Sequence, residues 1–288
     1  NSINVSFEKW LTETTKIGWY LPYYMISLKN LKSATDKLYS FEALMNKNVT
    51  DLFEKKSFKI NDFSKNAFGD SNLIFAWQDS FAERRDFING ITCSLKCGLR
   101  IPSFSLENSD DNLLRIPFGY GKSWGIIFGG ALEIDFGRYF SFGASADLEA
   151  LIGKINENMY VKTDIRQTDL LLFNKCAAYI DQGFKEKYTL YLASHSAERK
   201  YGLSLIYQYN KQNESDIIIC SEKHPSIIGS TSQRLESWTT HHAIILGELR
   251  PIISKSFDTI VYGFAKIGFN GQRSIVADTI GINLLFYF

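Results

Sequence analysis

The segment ITCSLKCGLRI, residues 91–101, alternates between apolar and polar side chains without interruption. The apolar positions are Ile91, Cys93, Leu95, Cys97, Leu99 and Ile101. The polar or small positions are Thr92, Ser94, Lys96, Gly98 and Arg100. Because successive side chains of a β-strand point to opposite faces, this period of two predicts a strand with two different faces. Its length matches the tilted strands that cross a bilayer, which need about 9–11 residues.

Two later segments repeat the pattern and predict a hairpin. WGIIFGGALEIDF, residues 124–136, and YFSFGASADLEAL, residues 139–151, both alternate, and only the short stretch FGRY at 136–139 joins them. Aromatic residues gather at this turn, namely Phe136, Tyr139, Phe140 and Phe142. Aromatic rings favour the boundary between lipid and water, so the cluster indicates a membrane interface.

Weaker alternation predicts further strands, about twelve in all within a range of 10–14. They lie at 3–10, 16–28, 71–81, 169–180, 188–196, 201–209, 238–249, 257–269 and 274–288. We therefore predict an all-β fold, a transmembrane antiparallel up-and-down β-barrel with long extracellular loops.

The predicted domain organisation is one barrel over residues 1–288, with a loop insertion at about 29–70. Residues 31–55 have helical spacing, which allows a helix inside that insertion. The other long loops are 103–122, 152–167 and 211–236. Simple alternation of turns puts loop 211–236 on the same side as the FGRY turn, so either a strand is missed near DIIIC (216–220) or one strand assignment is wrong.

Composition excludes several classes of protein. The chain has 288 residues, 45% of them hydrophobic and 15% aromatic, and its formal net charge is only +1. A strongly basic nucleic-acid binder and an acidic disordered chain are both excluded. The sequence contains no run of 18 apolar residues, so it predicts no transmembrane helix. The chain begins with Asn and shows no signal peptide, so we expect a processed form of an exported protein, or a fragment.

The last residues, TIGINLLFYF (279–288), carry a family resemblance. Ile280, Ile282, Leu284, Phe286 and Phe288 are apolar or aromatic at every second position. This pattern resembles the C-terminal signature of bacterial outer-membrane β-barrels. The resemblance implies a Gram-negative outer-membrane location, contact with outer-membrane lipid, and recognition of these five residues by the barrel-assembly machinery.

A soluble all-β protein with one buried face per strand would show the same alternation. Soluble strands are shorter, about five or six residues. The longer strands, the aromatic residues near strand ends and the apolar C-terminal strand favour the membrane barrel.

The sequence contains weak signals for chemistry. Ser194, His195 and Ser196 lie together near a strand end, but adjacent residues of a strand point to opposite faces and no partner acid is identifiable. His241 and His242 likewise cannot bind one metal ion from a strand. We therefore expect no catalysis, no cofactor and no metal site.

The predicted inner face carries the charged residues of three strands. Its members are Lys96, Arg100, Glu133, Asp135, Asp147 and Glu149. They either neutralise one another and fill a narrow interior, or line a pore that sorts solutes by charge. The functional prediction is a porin-like barrel for passive diffusion of small hydrophilic solutes. The alternatives are a closed barrel whose long loops bind a surface partner and, third, a lipid hydrolase at the barrel rim.

Overall fold

The computed structural model describes most of the chain. The described residues are 2–28, 63–82, 87–102, 123–152, 154–162, 164, 174–196, 198, 200–220, 229, 231, 232, 235–254, 257–274 and 278–287. The helix predicted within 31–55 and the loop 103–122 lie outside them. Among the described residues, no helix has the length and hydropathy needed to span a membrane.

The described secondary structure is almost entirely β. The strands are β1 (Ser2–Trp10), β2 (Thr15–Leu28), β3 (Phe63–Phe68), β4 (Ser71–Ala82), β5 (Ile88–Ile101), β6 (Trp124–Phe136), β7 (Phe140–Ile152), β8 (Lys154–Val161), β9 (Asn174–Asp181), β10 (Lys185–His195), β11 (Tyr201–Gln212), β12 (Asp216–Ile219), β13 (Trp238–Leu249), β14 (Ile252–Ser254), β15 (Phe257–Gln272) and β16 (Thr279–Tyr287).

Thirteen of these strands form one antiparallel sheet. Its main path runs β1-β2-β4-β5-β6-β7-β10-β11-β13-β15, with β3 beside β2 and with β14 and β16 beside β15. Each long strand therefore pairs with the next long strand of the chain. The predicted all-β, antiparallel, up-and-down fold is confirmed, and the strand number lies within the predicted range.

Two pairs of these strands, β3 with β4 and β13 with β14, are each two parts of one longer strand. β2 pairs with β4 over Thr15–Tyr20 and with β3 over Tyr23–Leu28. The interruption between β3 and β4 lies at Gly69 and Asp70, opposite Pro22 of β2. Pro22 cannot donate to the ladder, but its carbonyl accepts a 2.8 Å hydrogen bond from Gly69. β13 and β14 are also two parts of one strand, here interrupted by a proline of its own, Pro251, and both parts pair with β15. The sheet thus contains eleven continuous strands, and residues 63–68, predicted as loop, are strand.

The predicted strand at 169–180 is not part of this sheet. Its second half forms β9, which pairs with β8 and β12 in a separate three-stranded sheet. The segment 216–219 is β12 of that small sheet rather than a missed barrel strand. With 169–180 removed from the count, the connection 213–237 lies at the opposite end of the main sheet from the FGRY turn.

The two ends of the main sheet therefore differ. We call the end where only the short connections 11–14, 83–87, 137–139 and 196–200 join the strands the short-turn end, and the other the long-connection end. The small sheet lies in the connections at the long-connection end. Its core contains buried side chains from all three strands and from the segment that follows β12, namely Val161, Ala178, Ile217, Ile219 and Leu235. Burial also raises the pKa of the Cys176 thiol, which packs against this core.

The small sheet is tied to the main sheet by backbone contacts near Gly183. Asn213 donates to the carbonyl of Phe184 at 2.8 Å, and Gly183 donates to Ser215 Oγ at 3.2 Å. A Cβ on Gly183 would lie 2.3 Å from the carbonyl oxygens of Asn213 and Glu214. Glycine at this position therefore allows the two connections to lie side by side.

The main sheet has one apolar and one polar face. The apolar face exposes large hydrophobic side chains on every long strand, for example Phe7, Trp19, Phe75, Leu95, Phe128, Phe142, Leu190, Leu205, Ile245 and Ile267. The charged residues of β5, β6 and β7 occupy the alternate positions of these strands and lie on the other face. Water-soluble sheets bury their apolar face, so this distribution is the reverse of a soluble core.

The two edge strands of the sheet run in the same direction. β1 ends at the turn 11–14 and β16 ends the described chain, so both run from the long-connection end to the short-turn end. None of the described pairings joins β1 to β16. A direct junction between them would be parallel, whereas every described pairing is antiparallel.

Candidate functional site

All six predicted charged residues lie on the polar face. The register aligns Lys96 of β5 with Gly129 of β6, and Gly129 with Asp147 of β7. Glu133 aligns with Thr92 on one side and Gly143 on the other. The structure separates the six into an ion-paired group towards the long-connection end and two acids towards the short-turn end.

Arg100 and Glu149 form the strongest interaction of the ion-paired group. The Arg100 guanidinium donates from Nε to one carboxylate oxygen and from Nη2 to the other at 2.7 Å. Asp70 Oδ2 lies 4.0 Å from Arg100 Nη1. The side chains of Arg100 and Glu149 are only 17% and 13% exposed. A bidentate pair of this kind, shielded from water, has both geometric and electrostatic strength.

Lys96 and Asp147 form the second ion pair, at 2.7 Å. Lys187 of β10 approaches the same carboxylate at 3.9 Å. Gly129 lies directly beneath the pair, because a Cβ there would be 2.5 Å from Asp147 Oδ1 and 2.6 Å from Lys96 Cε. The missing side chain at 129 thus allows two side chains from β5 and β7 to meet across β6.

Glu133 and Asp135 have a different environment. Tyr191 Oη donates a hydrogen bond to Glu133, and no described Lys or Arg forms an ion pair with either acid. Tyr191 reaches Glu133 across β7 because its ring lies over Gly143, where a Cβ would be only 2.1 Å from the ring. The ring therefore occupies the space that a side chain at position 143 would fill.

A cavity of about 530 Å³ opens at this position. Its polar lining comes from four strands and comprises Gln78, Ser80, Asn89, Thr92, Ser94, Glu133, Asp135 and Tyr191. Side chains from β4, β5, β6 and β10 thus line one cavity on the polar face.

Several charged residues of the polar face were not in the predicted set. Glu8 accepts hydrogen bonds from Lys16 at 2.9 Å and from Tyr20 at 2.5 Å. Lys187 and Tyr191 join the groups described above. The alternation of the segment 188–196 would have placed Tyr191 on the inner face, but nothing in the sequence indicated that Gly143 would accommodate its ring.

The structure also tests the geometry of the rim-hydrolase alternative. His195 Nε2 lies 3.5 Å from Ser141 Oγ, a partner that the sequence did not indicate. Ser141 is only 1% exposed, so a substrate carbonyl cannot reach its hydroxyl in this arrangement. Ser196 Oγ instead accepts hydrogen bonds from the backbone of Lys200 and Tyr201 in the turn. Across the described residues, no group of three or more His, Cys, Asp or Glu side chains could hold a metal ion.

The proposed assembly-signal residues belong to the edge strand β16. Ile280 and Ile282 are 86% and 74% exposed on the apolar face. Leu284 and Phe286 align with Val261 and Thr259 of β15. Phe288 lies outside the described residues.

No family model and no curated protein sequence matches the chain. Solved structures do match. One of them is the crystal structure of an outer membrane channel from Pseudomonas putida F1, with a TM-score of 0.60 and 10% sequence identity. The match covers 99% of this chain and 81% of the channel. At this identity the likeness establishes the fold, which this chain shares with the channel.

Proposed function

We propose that this protein is a bacterial outer-membrane channel through which small hydrophilic solutes diffuse passively. The observation that carries the proposal is that the main sheet exposes apolar side chains on one face and lines a cavity with charged and polar side chains on the other. The likeness to an outer membrane channel supports it. No catalytic step and no cofactor are part of the proposal.

The apolar face has the dimensions of a membrane-spanning surface. On β6 its aromatic residues Trp124 and Phe136 are about 40 Å apart along the strand, or about 31 Å across a bilayer at a tilt of about 40°. The exposed Phe128 and Leu132 lie between them. This span corresponds to the hydrocarbon core, which is about 30 Å thick.

Aromatic clusters occur near both ends of the apolar face. Towards the long-connection end, Tyr207, Tyr209 and Phe269 surround His241, and Tyr207 Oη lies 2.8 Å from His241 Nδ1. Towards the short-turn end, Phe87 contacts Phe136 at a centroid distance of 5.5 Å. Two such girdles support contact of this face with outer-membrane lipid, because amphipathic rings are favoured at both interfaces.

Single-channel conductance in a planar bilayer tests the proposal. We expect the refolded protein to produce steady current steps in potassium chloride. Lys96→Ala should shift the ion preference towards cations, because it leaves Asp147 with less compensation inside the pore. Lys200→Ala, in the turn 196–200, is the control and should leave the preference unchanged. Insertion without any current would refute the channel.

The alternative of a closed barrel with a surface partner has one structural feature in its favour. The small sheet β8-β9-β12 has its own buried core and lies beyond the long-connection end. A folded surface of this kind can bind a partner without a pore. Insertion without current would favour this alternative.

The C-terminal residue provides a separate test of outer-membrane assembly. We expect deletion of Phe288 to lower the amount of assembled protein in the outer membrane severalfold, because the barrel-assembly machinery would bind the shortened signal less well. Quantitative immunoblotting of outer-membrane fractions measures this. Phe288→Tyr keeps a terminal aromatic ring and is the control. Equal assembly of the truncated and full chains would contradict the prediction.

A further inference from the structure

We infer that the cavity at the short-turn end is a binding subsite for small cationic solutes and gives the channel a cation preference. The inference rests on the proposed function and adds the charge class of the solute. It depends on the whole lining of the cavity and on how charges are distributed along the polar face.

Near the long-connection end, each carboxylate of the polar face described above has a cationic neighbour, and Lys185 adds a further amine beside Glu149 and Asp70. Glu149 is bound by Arg100, and Asp147 lies between Lys96 and Lys187. A permeating ion meets carboxylates there that already have cationic partners. We therefore expect this part of the polar face to discriminate only weakly between cations and anions.

The cavity has the opposite balance. Glu133 and Asp135 both line it, and its described lining contains no Lys, Arg or His. The hydrogen bond from Tyr191 orients Glu133 without neutralising its charge. In a partly enclosed space the field of two carboxylates is focused, and local cation concentration rises by about tenfold or more.

The neutral part of the lining suits a solute with hydrogen-bonding groups. The cavity offers the amides of Gln78 and Asn89, and hydroxyls from Ser80, Thr92 and Ser94. Ser80 and Thr92 already interact with each other at 2.9 Å, so their hydroxyls are held in place. A volume of about 530 Å³ accommodates an alkali cation with its water shell or a short organic amine.

The main test is the reversal potential of the refolded full chain in a potassium chloride gradient. We expect a potassium preference over chloride of roughly tenfold, falling as salt concentration rises. Glu133→Gln with Asp135→Asn should reduce the preference to near unity. Ala131→Lys, which adds a cation to the same cavity and retains both acids, should do the same. Glu198→Gln is the control, because this side chain is 70% exposed in the turn 196–200.

A binding measurement separates failure of the subsite from failure of the channel. Putrescine, a diamine, is titrated into the detergent-solubilised protein by calorimetry, and the double variant should bind it at least roughly tenfold more weakly. If the protein conducts but its ion preference is the same in all variants, the inference is wrong and the channel stands. If it does not conduct, weaker putrescine binding by the double variant supports the subsite. Equal binding by both proteins, or none, overturns it.

Discussion

Replacing Leu95 with Arg should destabilise the membrane-inserted protein by about 2–4 kcal/mol, because it places a charge on the proposed lipid-facing side near the centre of β5. Leu95 is 62% exposed on the apolar face and lies in the middle of β5. The measurement is the free energy of unfolding from phosphatidylcholine vesicles in guanidinium chloride.

The adjacent residue provides a matched control. Ser94 lies on the opposite face of the same strand and lines the cavity that contains Glu133 and Asp135. Ser94→Arg should therefore change the free energy of unfolding by less than about 1 kcal/mol. In a soluble protein Ser94→Arg would be the more destabilising of the two replacements, since an exposed leucine tolerates replacement by Arg. A harmless Leu95→Arg would argue against a lipid-facing surface.

Removing either partner of the Arg100–Glu149 pair should cost about 3–5 kcal/mol, because the remaining charge is shielded from water and loses its bidentate partner. We expect this for Arg100→Ala and for Glu149→Ala. The double variant should cost less than the sum of the two, since neither charge is then left uncompensated. The measurement is a double-mutant cycle on the free energy of unfolding.

A second ion pair on the same face provides a comparison for that result. Lys16 and Glu8 form a 2.9 Å contact, but their side chains are 27% and 34% exposed. Breaking this pair with Lys16→Ala should cost about 1 kcal/mol or less, because water screens it. Equal costs for the two pairs would mean that shielding from water does not strengthen the Arg100 interaction.

Alternation along the chain was sufficient to predict the fold class. The strands β5, β6 and β7 were predicted at nearly their observed bounds, and the six charged residues were assigned to one face. This information is local, because the pleat of a strand determines on which face each side chain lies. The same local rule gave a wrong result for 169–180, since alternation does not specify which sheet a strand joins.

The ion pairs depended on register, which alternation does not contain. Lys96 reaches Asp147 only because β5, β6 and β7 align Gly129 between them. The alignment of β5 with β6 joins strands separated by the connection 102–123, so no local turn rule predicts it. The sequence predicted six charged residues on one face, whereas the structure divides them into an ion-paired group and two acids that line a cavity.

What the sequence by itself determined is the sheet with one apolar and one charged face, because alternation with a period of two is a property of consecutive residues. What only the tertiary structure decided is how the charged face is used. The ring of Tyr191 lies over Gly143 and its hydroxyl reaches Glu133, so three strands cooperate to form one side of the cavity. Such an arrangement depends on contacts between side chains of different strands, and no single segment of the chain encodes these contacts.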